Sequence, residues 1–376
     1  MLYEIHMLKN YPPTNLNRDD TGVPKTCLFG GVMRGRISSQ CLKRSWRTSE
    51  LFRCDVGGNM LGIRTRTLPI VVCDQLRQLG ADGEKVNALC EKIPELLGLT
   101  KEPKKMITKE HVFCSSADID AIVSAMQKLL STCKKVDDVI ALKADSKKAK
   151  ALRAELSDIR PITLDIALFG RMVTSDTFKD VEASMQVAHA ISTNKVSVES
   201  DFFTAMDDML SGSSLDKLGA AILNDVDFNS SCYYIYASID ADALAENLKY
   251  AENAEEIVRK AIPALLRAMA FTDPSGKQNS FAGHVMPSVV MVECKEKKIP
   301  TSMVNAFVEP VGKHGDLVKQ SAEKLAAEVD MTARNFGLEV KERLWFCVDK
   351  YDVKPESATK ICATFPELVE AVSTSL

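Results

Sequence analysis

Six cationic side chains and no acidic one occupy residues 25–47 of this 376-residue chain, and they are Lys25, Arg34, Arg36, Lys43, Arg44 and Arg47. Lysine and arginine at this density bind the phosphates of a polyanion through charge and hydrogen bonds, and such contacts do not depend on base sequence. The whole chain has a formal net charge of −3, which excludes a uniformly basic nucleic-acid binder. The cationic segment therefore predicts a local groove on a protein that is acidic elsewhere.

Helical periodicity places most of these charges on one face of a helix that begins near Gln40. Ser38 or Ser39 is a suitable N-cap for this helix. The polar face then consists of Gln40, Lys43, Arg44 and Arg47, and the packing face of Leu42, Trp46 and Ser49. Glycines at 30, 31 and 35 allow close backbone approach, and a helix start attracts phosphate. A solvated helix face after a flexible loop is the alternative interpretation of the same pattern.

The order of several motifs along the chain resembles one protein family. The motifs are NLNRDDTGVPK at 15–25, FGG at 29–31, RISSQCLKR at 36–44, DIALFGRM at 165–172, AHAIST at 188–193 and MVNAFVEP at 303–310. Together they resemble CasC, the family of backbone subunits of the type I-E CRISPR surveillance complex Cascade, within the RAMP superfamily. The resemblance implies a non-catalytic protein for antiviral defence. It would polymerise along a CRISPR RNA, contact other Cascade subunits and present the guide to target DNA.

The resemblance also implies which side chains lie at the guide backbone, and these are Arg18, Lys25, Ser38, Gln40, Lys43 and Arg47. Arg44 is added from the helix periodicity alone. Two positions that are basic in some relatives are Val32 and Met33 here. A phosphate contact from the glycine loop therefore depends on Arg34 and Arg36.

A second group of candidates lies in an insertion over residues 190–231, and it consists of Phe202, Phe203, Thr204 and Met206. An isolated aromatic pair is more typical of a core. The resemblance implies instead a thumb that folds over the guide and displaces one nucleotide at regular intervals. Its apolar side chains would stack on any flanking base, whatever the sequence. Met172 resembles a second such wedge.

A lysine-rich helix is predicted over residues 142–153. Runs of lysine on a helix are usually solvated surface. The resemblance implies that this region lies near the incoming duplex, and the candidates for target DNA contact are Lys143, Lys147, Lys148 and Lys150.

The competing function is a metal-dependent endoribonuclease on the same hand fold, which needs a converging catalytic set. Neighbouring acids such as Asp19 and Asp20, or Asp207 and Asp208, usually diverge in direction, so loop-shaping roles are favoured for them. His189 and His6 would suit metal-free RNA cleavage, but each lies in an apolar pattern typical of a buried histidine.

Cofactor chemistry has little support in the sequence. The glycine loop does not fit the G-x-G-x-x-G dinucleotide motif. Eleven cysteines occur without a C-x-x-C pair and five histidines are scattered, so we expect neither metal nor cofactor. We expect free thiols, mostly buried, in a reducing cytoplasm. No apolar run approaches the ~18 residues of a membrane span, and we expect a soluble protein.

These residues require a scaffold, and the predicted fold class is α+β with a ferredoxin-like, RRM-like palm. The order β, α, β, β, α, β is predicted from strands at Leu2–Leu8, Ile162–Phe169, Cys232–Ile239 and Pro287–Cys294 and from helices near 40–52 and 254–269. Pro263 should kink or shorten the second helix. A right-hand shape follows from the resemblance, with the palm at 1–52, 161–189 and 232–376, helical fingers at 53–160 and the thumb at 190–231.

Further elements are predicted near the thumb and the C-terminus. Thr193–Val198 alternates like a strand, and Asp316–Phe336 is typical of a long amphipathic helix that Gly337 ends. A strand near Leu344–Val348 and a terminal helix follow. The tyrosines of the Cys232–Ile239 strand are expected in the core or in a subunit interface.

Overall fold

A computed structural model describes residues 1–157, 160–205, 222–312 and 314–376. Met206, Asp207 and Asp208 lie outside the described residues. The chain divides into two compact units. Unit 1 comprises Met1–Asp55, Gln186–Asp240 and Ile262–Leu376, and unit 2 comprises Val56–Met185 and Ala241–Ala261.

The described residues form an α+β fold, as predicted. The strands are β1 (Leu2–Thr14), β2 (Thr26–Phe29), β3 (Val32–Ile37), β4 (Ile63–Thr65), β5 (Val112–Cys114), β6 (Met185–Val187), β7 (Ala190–Ser192), β8 (Glu199–Ala205), β9 (Ile222–Asp240), β10 (Val289–Lys295), β11 (Glu342–Cys347) and β12 (Lys360–Cys362). The α-helices are α1 (Ser39–Arg47), α2 (Glu50–Val56), α3 (Leu68–Gln78), α4 (Gly83–Leu96), α5 (Ser116–Ser131), α6 (Val136–Ile140), α7 (Lys147–Leu156), α8 (Leu164–Phe169), α9 (Ala241–Asn247), α10 (Ala254–Phe271), α11 (Gln278–Phe281), α12 (Leu317–Phe336) and α13 (Phe365–Ser375).

The main sheet is mostly antiparallel and has the strand order β12-β11-β10-β1-β9-β7-β3-β2, with β6 and β8 pairing β9 beside this path. Its central strands β10, β1, β9 and β7 pair antiparallel throughout. This is the order of a ferredoxin-like, split βαβ arrangement, with β7 as its second strand. The prediction that Ile162–Phe169 supplies this strand is wrong, because these residues contain helix α8 instead.

One face of the sheet in unit 1 packs against α12. Tyr234, Met291 and Trp345 belong to a buried apolar cluster with Leu325 and Val329 of this helix. The predicted bounds of α12 are confirmed: Asp316 accepts hydrogen bonds from the backbone at its start, and Gly337 ends it with φ +58°. The tyrosines of β9 are predicted in the core or in a subunit interface, and their burial within this chain places them in the core.

Unit 2 has a helical core of its own. Leu76, Leu89, Ile122 and Leu152 bring α3, α4, α5 and α7 into one buried cluster. Helix α7 covers only part of the helix predicted over residues 142–153, and Lys143 precedes it. Cys73 and Cys90 in this core form a disulfide. The expectation of free thiols throughout is therefore wrong for this pair.

Several predicted elements differ in their bounds. The predicted helix over 40–52 is two helices, α1 and α2. Helix α10 continues through Pro263 and is not shortened there. The predicted strand at Thr193–Val198 is wrong, because β7 ends before it and β8 begins after it. Within the described residues, no helix is long and apolar enough to span a membrane.

Candidate nucleic-acid interface

Helix α1 is fixed at its start and along its buried side. The Ser38 hydroxyl accepts a hydrogen bond from the Cys41 backbone N–H at 3.3 Å, as an N-cap should. The Ser38 N–H in turn donates to the Asn17 side chain at 2.9 Å. Leu42 and Trp46 are each 1% exposed. The predicted cap at Ser38 is confirmed, and so is the packing face at Leu42 and Trp46, whereas Ser49 lies beyond the end of α1.

The outer face of α1 carries the predicted polar row. Gln40 and Arg44 are exposed, whereas Lys43 and Arg47 are half-buried. Burial lowers the pKa of the Lys43 ammonium below its ordinary value. Four residues of helix rise about 6 Å, so Lys43 and Arg47 are displaced by this distance along the axis. The row can therefore meet more than one phosphate of an extended strand.

A cleft of about 730 Å³ lies beside α1 in unit 1. It is lined by the 17–22 loop, by Arg44 and its neighbours on α1, and by residues near Asp273. Arg18 is exposed and lines the same cleft. Two arginines therefore line one concave, polar surface together with Asp19, Asp20 and Asp273. The lining suits a polar ligand more than an apolar one.

Asp19 and Asp20 also line this cleft. The Asp19 carboxylate accepts hydrogen bonds from the Thr21 N–H at 2.9 Å, the Thr21 hydroxyl at 2.7 Å and the Val23 N–H at 3.1 Å. The Thr21 hydroxyl is the main reason why the pKa of Asp19 lies below its ordinary value. The predicted loop-shaping role is confirmed for Asp19. Within the described residues, no group of three or more His, Cys, Asp or Glu is placed to hold a metal ion.

Arg34 is a correction to the predicted interface. Its side chain is 0% exposed, and its guanidinium donates to the carbonyl oxygens of Ser192, Thr193, Phe307 and Val308 at 2.7–3.1 Å. The two terminal nitrogens of Arg34 are therefore used on four backbone carbonyls, and its buried Nε has no hydrogen-bond partner among the described residues. A guanidinium held in this way is a structural crosslink and is not exposed to a phosphate.

The glycine loop, like Arg34, packs against Val308. A Cβ atom on Gly30 would lie 1.9 Å from the Val308 carbonyl oxygen, and the residue has φ +59°. Only glycine permits both this close approach and this backbone conformation. The close backbone approach at Gly30 is therefore made to Val308, whereas the sequence suggested an approach to a phosphate.

Arg36 lies on the same strand and has the opposite environment. It is half-buried, its Nε donates to the Thr26 carbonyl at 3.2 Å, and its Nη1 lies 3.0 Å from the Nδ1 of His189. Its backbone N–H donates to the Lys25 carbonyl at 2.8 Å. The Lys25 side chain is also half-buried. Lys25 and Arg36 therefore remain candidates for phosphate contact beside α1.

The two histidines considered for catalysis differ. His6 is buried, its Nδ1 lies 2.8 Å from the Tyr234 hydroxyl, and desolvation by burial lowers its pKa. His189 is exposed, so the prediction that both are buried is wrong for this one. Its position beside Arg36 could not be derived from sequence, because 153 residues separate the two.

The aromatic pair lies on an exposed β-ribbon. Strand β8 pairs antiparallel with the start of β9, with Phe202 opposite Asp225 and Phe203 opposite Asn224. Phe202 is 66% and Phe203 42% exposed, so neither belongs to a core. Because they are consecutive in a strand, they project from opposite faces of the ribbon. Thr204 is exposed on the same strand.

The remaining candidates lie in unit 2. Met172 is 92% exposed, directly after Arg171, which is buried and bound to Asp118 at 2.6 Å. The lysines predicted to contact DNA are all exposed, and they are Lys143, Lys147, Lys148 and Lys150. Helix α7, which carries three of them, is capped by the Ser146 hydroxyl. Exposure is compatible with the predicted contacts and equally with a solvated surface.

These features define an α+β protein with a ferredoxin-like sheet and a cationic helix suited to a nucleic-acid backbone. The chain belongs to the CT1975-like protein family, whose model matches residues 3–371. No curated protein matches it. It is similar to a chain of a CRISPR RNA-guided surveillance complex, pre-nicking, with 25% identity, full coverage of both chains and a TM-score of 0.86.

A second similar chain comes from a CRISPR RNA-guided surveillance complex. It is 21% identical, the match covers all of this chain and 99% of that chain, and the TM-score is 0.63. This second likeness shows the fold alone. The predicted similarity to subunits of a CRISPR surveillance complex is confirmed, while the assignment to CasC and to type I-E stays a prediction.

Proposed function

We propose that this chain is a CasC-type, non-catalytic subunit that binds CRISPR RNA and oligomerises along it as the backbone of a type I-E Cascade complex. In this role it presents the guide to target DNA in the cytoplasm and contacts the other Cascade subunits. The observation that carries the proposal is the polar row of α1, held outward by the buried Leu42 and Trp46.

The chemistry of the row matches a guide whose sequence varies. Lysine and arginine contact phosphates and leave the base edges available for pairing. Arg18 lines the same cleft as Arg44, and Lys25 and Arg36 lie on the segments that lead into α1. A protein that read base edges here would serve only one guide.

The exposed ribbon of β8 and β9 supports the proposed presentation of the guide to target DNA. Phe202 and Phe203 offer two stacking surfaces on opposite faces. Stacking on an aromatic ring tolerates any base. A ribbon of this kind can separate neighbouring bases of a guide without selecting its sequence.

The first test reverses the charges of α1 in the double variant Lys43→Glu, Arg47→Glu. Both side chains are half-buried and Arg47 has an interaction within the protein, so RNA loading is compared only where the thermal melt shows a folded variant. We expect it to lose RNA on purification, because phosphates would meet two carboxylates in place of two cations. RNA retention is measured from the ratio of absorbance at 260 and 280 nm, alongside a thermal melt.

The matched control is Lys105→Glu, Lys109→Glu, which reverses two exposed charges in unit 2. It should retain RNA as the wild type does. Full RNA loading in the α1 variant would contradict the proposal that the polar row of α1 binds RNA.

Sequencing of the RNA that copurifies from the native host tests the CRISPR assignment separately. We expect short RNAs with repeat-derived ends. RNA of unrelated origin would leave RNA binding intact and contradict the Cascade assignment.

A further inference from the structure

Arg36 differs from the other candidates in how its guanidinium is held. The Nε group donates to the Thr26 carbonyl on β2, and Nη1 lies 3.0 Å from His189 Nδ1, just before β7. The other three N–H groups of Arg36 make no hydrogen bond within the described residues. The side chain is thus fixed on one edge and leaves its other donors available.

We infer that His189 is a positioning residue for Arg36, which holds the guanidinium in the orientation that contacts the RNA backbone. The inference rests on the proposed function and deepens it. Its geometry comes from two strands that pair directly, since Arg36 on β3 is opposite Ile191 on β7. His189 lies two residues before Ile191, and its imidazole lies beside the Arg36 guanidinium.

Arg34 and Arg36 differ in how their N–H groups are used. Arg34 is buried and uses both terminal nitrogens on four protein carbonyls, whereas Arg36 is half-buried and uses two N–H groups to fix its orientation. An arginine held in advance loses less conformational freedom when it binds a phosphate. Holding Arg36 therefore strengthens RNA binding without a new contact to RNA.

The protonation state of His189 permits this role. Nδ1 accepts the Arg36 N–H only while the ring is neutral. The pKa of His189 lies below its ordinary value. Desolvation is the largest cause, followed by the positive charges of Arg36 and Lys25. Neutral imidazole with an acceptor at Nδ1 is therefore the form present at neutral pH.

The test is a double-mutant cycle on binding of a fluorescein-labelled single-stranded RNA 12-mer of arbitrary sequence, followed by anisotropy. We expect His189→Leu to weaken binding about three- to tenfold, and Arg36→Ala to weaken it at least as much. The double variant should bind no more than about twofold worse than Arg36→Ala alone, because His189 acts through Arg36. His189→Asn places an amide oxygen near the Nδ1 position and should restore binding to within about twofold of wild type.

Additive losses in the cycle, or wild-type affinity in His189→Leu, would overturn the inference. If His189→Leu lowers the melting temperature, His189→Asn is compared with His189→Gln, whose amide lies one methylene further out. Binding kept by Asn and lost by Gln supports the inference, and equal binding by both contradicts it. Failure of the wild-type chain to bind RNA would instead contradict the proposed function.

Discussion

Two arginines on one strand show what residue-level reasoning can and cannot derive from sequence. Arg34 and Arg36 have the same chemistry and nearly the same sequence context, and charge counting assigns both to a phosphate site. The structure buries Arg34 among carbonyls from residues 192–193 and 307–308, and leaves Arg36 half-buried. These carbonyls lie more than 150 residues away along the chain. No local pattern predicts such a crosslink.

The same pair gives a prediction with opposite outcomes in two assays. Arg34→Met should lower the free energy of unfolding by several kcal/mol, since each buried carbonyl that loses its donor costs about 1–3 kcal/mol. Arg36→Met should change stability by less than about 1 kcal/mol and should weaken RNA binding. Urea unfolding and RNA anisotropy measure the two effects.

Each variant is the control for the other. An Arg34→Met protein that unfolds like the wild type but binds RNA poorly would return Arg34 to the interface. It would show that its side chain leaves the interior when RNA binds.

At the scale of elements, the predictions succeeded where one periodicity dominates. Helix α1 has a clear polar face, a cap and two large apolar residues, and its packing follows from them. The run Ile162–Phe169 alternates apolar and polar residues over 162–166, as a strand would, and is apolar over 166–169. A run this short fits a helix or a strand. The true second strand, β7, has only three residues. A strand this short is defined by its pairing with β3 and β9 on either side, and not by a pattern in its own sequence.

The exposed ribbon gives a prediction at the same scale. Phe202→Ala and Phe203→Ala together should leave the melting temperature nearly unchanged, because both rings are already exposed. RNA binding should persist and lose about 1–3 kcal/mol of stacking per base. Chemical probing of the bound guide should then lose its periodic reactivity.

Single variants separate the two faces of the ribbon, since the rings project from opposite sides. If only one of them changes the probing pattern, the guide meets only that face. Unfolding of the double variant would assign the pair to the core and refute the wedge. An unchanged reactivity period in a folded variant would transfer the role to Thr204 or Met206.

At the scale of the whole molecule, net charge is a poor guide to binding. The chain carries 48 basic and 51 acidic side chains, yet most of the candidate cations gather on α1 and the segments that lead into it. Counting charges over the chain would predict weak interaction with RNA. The fold separates the charges, and the local field decides where a polyanion is attracted.

The salt dependence of RNA binding tests this separation. The cations expected at the RNA backbone in unit 1 are Arg18, Lys25, Arg36, Lys43, Arg44 and Arg47. If each neutralises one phosphate of a single strand, the logarithm of the binding constant should fall with the logarithm of salt concentration with a slope of about −4. Arg47→Ala should reduce the steepness by about 0.7, whereas Lys105→Ala should leave it unchanged. A slope near zero in the wild type would mean that RNA is held by bases and not by its backbone, and the polar row of α1 would then lose its assigned role.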